Sequence, residues 1–197
     1  GSITVSRLNQ TVVFPAKTMI AAAMNPCKCG FFPDLGKCRC TPTQIRRYLN
    51  RVSGPFLDRI DIGVEVPRQD LGMMAAEKSI DEGSFPQTEQ RNSSAVMRAR
   101  VMEARARQEK RFADESISYN SQMTRRQIEE YCRLSGEDAV FLEKVERQQG
   151  ISARGHGKIL KVARTLADLD GQAEIGRTQL AEAIGFRSFE KKYWGSL

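Results

Sequence analysis

Apolar and polar residues alternate in two registers along this chain, and the register changes about halfway. Ile3–Arg7 and Thr11–Ala16 are β-branched segments separated by Leu8-Asn9-Gln10, with Asn9 suited to the turn. They predict a β-hairpin whose second strand ends at Pro15 as an edge. Met19–Met24 is a continuous apolar run, the pattern of a strand buried on both faces. Ile60, Ile62, Val64 and Val66 alternate with Asp61, Gly63 and Glu65, which predicts a half-buried strand.

Between those runs, Thr41-Pro42-Thr43-Gln44 reads as a capping box with proline in the first helical position. Ile45, Leu49 and Val52 give that helix one apolar face, and Gly54-Pro55 is expected to end it. Gln69–Ser94 holds Gly72, Gly83, Pro86 and few large apolar residues, so it reads as a linker near a domain boundary. Beyond it the pattern becomes helical. Ala95–Ala113 is amphipathic, Thr124 and Gln127 form a second capping box, and Ser135 and Ser152 cap two further helices. Gly150 and Gly171 stop those two, and Thr178–Ile184 is a short last helix. The fold class expected is α/β plus all-α. Residues 1–68 supply the α/β part, 69–94 the linker and 95–197 a helical bundle.

Composition changes this picture little. The chain has a net charge of +7, which suits an anionic partner such as nucleic acid or nucleotide and equally suits a solubilising surface. There is no apolar run long enough to span a membrane and no secretory signal pattern, so a cytoplasmic location is expected. Gly1-Ser2 has the look of a cloning remnant on a piece of a longer protein.

The cysteines change the picture more. Four of the five, Cys27, Cys29, Cys38 and Cys40, form two C-x-C pairs in an irregular loop. Four thiolates satisfy a tetrahedral zinc ion and leave no position open for water, so a structural site is expected. The competing reading is four reduced thiols. Cys132 reads as a core cysteine.

Three other residues carry candidate chemistry. Asn25 ends the apolar run, where an amide could hold a water or a phosphate oxygen, although a plain turn before Pro26 explains it as well. Arg59 lies in Asp58-Arg59-Ile60-Asp61 and is either a local ion pair or a group presented to a neighbouring subunit's phosphate. Arg154 sits in the first turn of the helix capped by Ser152, where it either favours an anion or is simply solvated. Arg-Gly-His-Gly-Lys at 154–158 fails the G-x-x-x-x-G-K-[ST] pattern, and no Walker A or Walker B motif occurs in the chain. Without them this polypeptide is not expected to hydrolyse ATP alone.

These signals fall into a known order. VSRLNQTVVFPAKTMIAAAMNPCKCG, CRCTPTQIRRYLNRVSGPFLDRIDIGVEVPR and ISARGHGKILKVARTLADLDG, followed by LAEAIGFRS, resemble the C-terminal part of the magnesium-chelatase-like AAA+ ATPases. The cysteine cluster favours the ComM (YifB-type) branch. The resemblance implies a partial AAA+ core, with a sensor-1 edge, a hairpin and a cysteine loop, followed by a helical lid. It implies that Asn25 is the sensor-1 residue, Arg59 the arginine finger and Arg154 the sensor-2 arginine. It implies that Arg7, at the tip of the hairpin, faces DNA, as the matching hairpin does in replicative MCM helicases. ATP and magnesium would belong to the full-length protein, as would a homo-oligomeric ring, commonly a hexamer, working on DNA in branch migration. A motor for inserting magnesium into a porphyrin, and a zinc-stabilised module that binds DNA or protein, are the alternatives. Two departures stand out. Lys28 replaces the family's usual proline in the first cysteine pair, and Gly155 and Gly157 flank His156 where bulkier helix formers are common.

Overall fold

The computed structural model describes residues 1–8, 10–66 and 93–195. The chain forms two compact units, Gly1–Leu49 and Asn50–Leu197.

In the first unit, β1 (Ser2–Arg7) and β2 (Gln10–Pro15) pair antiparallel, with Ile3 opposite Phe14, Val5 opposite Val12 and Arg7 opposite Gln10. The Ser6 and Thr11 hydroxyls meet across the ribbon at 3.1 Å, and the Ala16 amide donates to the Gly1 carbonyl to close its open end. Both faces of the ribbon are exposed. Arg7 lies beside the connecting turn, where Leu8 is fully exposed; Asn9, expected to make that turn, lies outside the described residues.

Residues 19–24 form no strand, contrary to the expectation from their apolar run. They are exposed, Met19 and Ile20 most of all. A strand exists only where its amide and carbonyl groups find a ladder partner. Among the described residues the only sheet is the β1–β2 ribbon. By contrast α1 (Pro42–Leu49) forms where its caps predict, because helix hydrogen bonds are local. The Thr41 amide donates to Gln44 Oε1 (3.0 Å) and the Gln44 amide to Thr41 Oγ1 (3.3 Å). Ile45 and Leu49 are its buried residues.

The second unit begins with a short helix, α2 (Gly54–Leu57), so Gly54-Pro55 opens a helix rather than closing one. Residues 60–66 again form no strand, and Ile62, Val64 and Val66 are exposed. This stretch is held by single hydrogen bonds instead of a ladder. The Gly63 amide donates to the Phe186 carbonyl (2.9 Å), and Arg187 Nη1 donates to the Ile60 carbonyl (2.9 Å). A side chain at position 63 has no room, because the Phe189 ring lies 2.2 Å from where a Cβ would stand.

The helical bundle consists of α3 (Ser94–Arg111), α4 (Arg125–Tyr131), α5 (Gly136–Gln149), α6 (Ala153–Leu169), α7 (Arg177–Gly185) and α8 (Ser188–Trp194), with a 3-10 turn at Asn120–Gln122. The caps expected at Thr124, Ser135 and Ser152 are all made, and Gly150 and Gly171 take the left-handed conformation that stops α5 and follows α6. α8 was not foreseen from the sequence. Of the expected 69–94 linker, residues 69–92 lie outside the described residues.

α6 is the centre of the bundle. Ile159, Leu160, Ala163 and Ala167 recur on one face, and α3, α4, α7 and the 3-10 turn pack around it. Phe112, Met123, Cys132, Leu142, Leu180 and Ile184 complete the core. Cys132 is buried as expected, and burial pushes its thiol up to about 11, which keeps it inert. On α3 only the second half is covered: Ala104 and Gln108 are buried, whereas Met97 and Val101 are exposed. The fold is therefore mixed, a small two-stranded sheet with a helical bundle, in line with the expected class. No helix among the described residues is long and apolar enough to cross a membrane.

The core also holds one charge cluster. Asp168, fully buried, accepts from Arg111 Nη1 and Asn120 Nδ2 at 2.9 and 2.8 Å, with Arg164 Nη2 at 3.1 Å. Burial alone would raise its pKa, but the Arg111 and Asn120 hydrogen bonds and the nearby guanidinium charges outweigh it and hold the carboxyl below its usual range.

Candidate functional site

The expected chemistry falls at two places, one in each unit. In the first, the loop at 27–40 folds back on itself through backbone turns. The Gly30 amide donates to the Cys27 carbonyl with Gly30 at a φ of 76°, and the Cys38 amide donates to the Asp34 carbonyl. The Asp34 carboxylate accepts from the Gly36 amide and tightens the bend. These turns bring both C-x-C pairs together. Cys27 Sγ lies 3.4 Å from Cys29 Sγ and 3.8 Å from Cys38 Sγ, and all four sulfurs lie within 4.8 Å of one another.

The four thiols are electrostatically unequal. Backbone amides of Phe31 and Arg39 bring Cys29 down to about 6. Burial would raise Cys27, but backbone hydrogen bonds from Phe32, Phe31 and Cys29 lower it on balance. Cys38 stands at about 11: a backbone bond from Cys40 lowers it, but burial and the sulfurs of Cys29 and Cys27 outweigh that. Cys40 is raised as well; a backbone bond from Cys29 lowers it, but the neighbouring sulfurs and burial prevail. Anionic sulfurs this close repel one another, which drives their proton affinities apart when sulfur alone fills the site. A divalent cation removes that repulsion and lets all four sulfurs ionise, so the cluster can hold a metal ion. Asn25 and Arg7 belong to the same unit, and both are exposed.

In the second unit, the Asp58–Asp61 corner follows α2 directly and lies against the start of α6. Ser152 Oγ, which caps α6 by accepting from the Gly155 amide, also donates to Asp58 Oδ1 (3.2 Å). Arg154 Nη1 donates to Asp58 Oδ2 (3.1 Å), and Arg187 Nη2 lies 3.8 Å from Asp58 Oδ1. Burial pushes the Asp58 pKa up, but the bonds from Arg154 and Ser152 and the Arg187 charge outweigh it and hold the carboxyl below the usual range. Lys158 Nζ pairs with Asp61 Oδ1 (2.9 Å) and donates to the Arg59 carbonyl.

Arg59 itself is exposed, and its guanidinium donates to the Pro55 carbonyl (2.6 Å). The local ion pair weighed for it is thus not the contact made; the flanking carboxylates of Asp58 and Asp61 go instead to Arg154 and Lys158 on α6. Arg154 remains 63% exposed at its side chain, so the pair with Asp58 contributes at most about 1 kcal/mol to stability. A contact that weak is exchangeable.

Gly155 also finds a reason here. A Cβ at this position would come within 2.7 Å of Ile151 Cγ2 and 3.8 Å of Arg187 Nε, so the gap in the helix is filled by neighbours. Arg187, 5% exposed, is the buried pin of the corner, and nothing in the sequence pattern singled it out. Asp58 and Asp61 were visible only as the carboxylates flanking Arg59, and Lys158 only within a failed P-loop pattern; their pairing with α6 was not foreseen. Their one signal is spacing on α6: Arg154 and Lys158 stand four apart on one helix face, where they meet Asp58 and Asp61.

Comparison with known proteins gives a consistent result. Residues 1–74 match the family described as magnesium chelatase, subunit ChlI, and residues 91–187 match its C-terminal counterpart. The competence protein ComM of Haemophilus influenzae is 40% identical over 189 residues, covering 95% of this chain and 34% of that protein. The protein YifB of Escherichia coli is 39% identical over 191 residues, or 97% of this chain and 35% of its own length. A Mycobacterium bovis protein is 30% identical over 187 residues, covering 95% of this chain and 35% of that one. The chain spans about a third of the length of these relatives.

Proposed function

The chain belongs to the magnesium-chelatase-like family, and from that premise we propose that it is the distal part of a ComM-type motor that couples ATP hydrolysis to movement on DNA. The observation that supports this most is the corner: Asp58, the chain neighbour of Arg59, also carries Arg154, so two arginines suited to polyanionic phosphate stand on one rigid feature. Arg59 acts as the arginine finger on the nucleotide of an adjacent subunit in a hexameric ring. Arg154, at the N-terminus of α6, acts as sensor 2, and Asn25 orients the attacking water as sensor 1. ATP with its magnesium supplies the phosphoryl group and the charge that these residues stabilise. Arg7 at the hairpin turn contacts DNA phosphate, a role suited to an exposed cation at the end of a ribbon. Branch migration during integration of transforming DNA is the process in which such a motor works.

Zinc is the metal assigned to Cys27, Cys29, Cys38 and Cys40. A Zn–S bond of about 2.3 Å in a tetrahedron requires sulfurs about 3.8 Å apart. The separations of 3.4, 3.6 and 3.8 Å among Cys27, Cys29 and Cys38 suit it. The ion would hold the loop's shape and take no part in catalysis.

In the full-length protein, Arg59→Ala should abolish steady-state ATP hydrolysis while leaving nucleotide binding intact. Turnover near the wild-type rate in that variant, with rings still assembled, would sink the assignment.

A further inference from the structure

The corner is fixed by its backbone and its flanks, not by Arg59. From α6, Ser152 and Arg154 hold the Asp58 carboxylate, and Lys158 holds the Asp61 carboxylate and the Arg59 carbonyl. Just before α8, buried Arg187 holds the Ile60 carbonyl. Residues 58, 59, 60 and 61 are each tied down, while the Arg59 guanidinium stays at the surface.

We infer that Asp58 and Lys158 are positioning residues that join Arg59 and Arg154 into one mechanical unit, so that nucleotide engaged at Arg154 alters the presentation of Arg59 to the neighbouring subunit. This rests on the reading of both arginines as groups acting on ATP. The geometry supplies the exchange. Arg154 is satisfied by Asp58 through one exposed charge-assisted bond, and a phosphate oxygen offers the same guanidinium a stronger acceptor. When phosphate takes Arg154, Asp58 loses that bond, and the corner keeps Ser152, Lys158 and Arg187. Release of Arg154 thereby changes what holds Asp58, the residue next to Arg59, and that change is the coupling inferred.

The test uses full-length protein and compares Asp58→Asn, Asp58→Glu and Lys158→Met with Arg59→Ala and Arg154→Ala. Steady-state ATP hydrolysis gives kcat, KM and the Hill coefficient, and circular dichroism gives the unfolding midpoint. Asp58→Asn is expected to lower kcat roughly tenfold or more, because small displacements of a catalytic group are costly. KM should change less than about twofold, the Hill coefficient should fall toward one, and the unfolding midpoint should stay near wild type. Asp58→Glu should recover most of the loss, and Lys158→Met should reproduce it. Unchanged kcat and Hill coefficient in Asp58→Asn, with Arg59→Ala and Arg154→Ala both inactive, would overturn the link and leave the ATPase reading standing. Turnover surviving in those two arginine variants would overturn the roles given to Arg59 and Arg154, and the link with them. If Asp58→Asn is partly unfolded, Lys158→Met decides. Activity lost only in proportion to folded fraction, with no rescue by Asp58→Glu, means a structural role and overturns the inference.

Discussion

Within Gly1–Leu49 the buried apolar side chains are Cys27, Ile45 and Leu49, whereas Asn50–Leu197 buries a continuous cluster running from Phe112 to Ile184. The contrast is one of means. A unit this short with so few buried side chains gains little from the hydrophobic effect, and chains of that size usually need a metal, a disulfide or a partner surface. Its cysteine cluster, which could hold a metal ion, would answer that need locally. The helical unit relies on close packing around α6, and it tolerates a buried ion cluster because the core around it is complete. One unit is therefore expected to depend on solution conditions that leave the other untouched.

The sharpest way to break the comparison is to remove the metal. Chelation of zinc-loaded chain should unfold the 27–40 loop and α1, since structural zinc contributes on the order of 10 kcal/mol, while α3–α8 stay folded. Heteronuclear NMR of the chain before and after chelator reads both units at once. Simultaneous collapse of both sets of resonances would refute the separation, as would no change in either. The next effect belongs to the helical unit. Asp168→Ala leaves Arg111 and Arg164 buried without their counter-charge and should cost about 3–5 kcal/mol in urea denaturation.

The same residue gives a pH signature. Its folded pKa is depressed below the unfolded value of about 3.9, so its contribution is present above that pH and is lost as pH falls through the folded value. The gap in stability between wild type and Asp168→Ala should hold from neutrality down to about pH 4 and narrow in stronger acid. A gap independent of pH would show that the carboxylate charge is not the source. The smallest effect sharpens the contrast further. Thr124→Ala removes a capping box and should cost about 1 kcal/mol of the helical unit's stability, with metal content of the cysteine loop unchanged.

How much of this was legible in the chain follows from the range of the interactions. Thr41, Thr124, Ser135 and Ser152 were readable as helix starts because a cap and its amide are three residues apart. The β1–β2 ribbon was readable for the same reason. Met19–Met24 and Ile60–Val66 were not, since an apolar run becomes a strand only beside a partner, and the described residues offer neither of them one. The cysteine cluster was legible from spacing alone. The corner was half legible: Arg59 and Arg154 could be named, but Asp58, Lys158 and Arg187, which set where they stand, act across 94 to 127 positions of sequence. Local pattern carries no trace of such distances. Gly155 is a related case, because glycine disfavours a helix interior while tertiary packing here fills the place of its missing side chain.

That span has a consequence for the order of assembly. Arg187 reaches Ile60 and Lys192 reaches Glu65, each 127 residues apart along the chain. Contacts of such separation form late, after the loops they close have lost their freedom. During synthesis the corner emerges well before Arg187 and Lys192, and it waits for them before it is pinned. The residues of the corner are thus set after the elements around them, which ties their geometry to completion of the helices that support them.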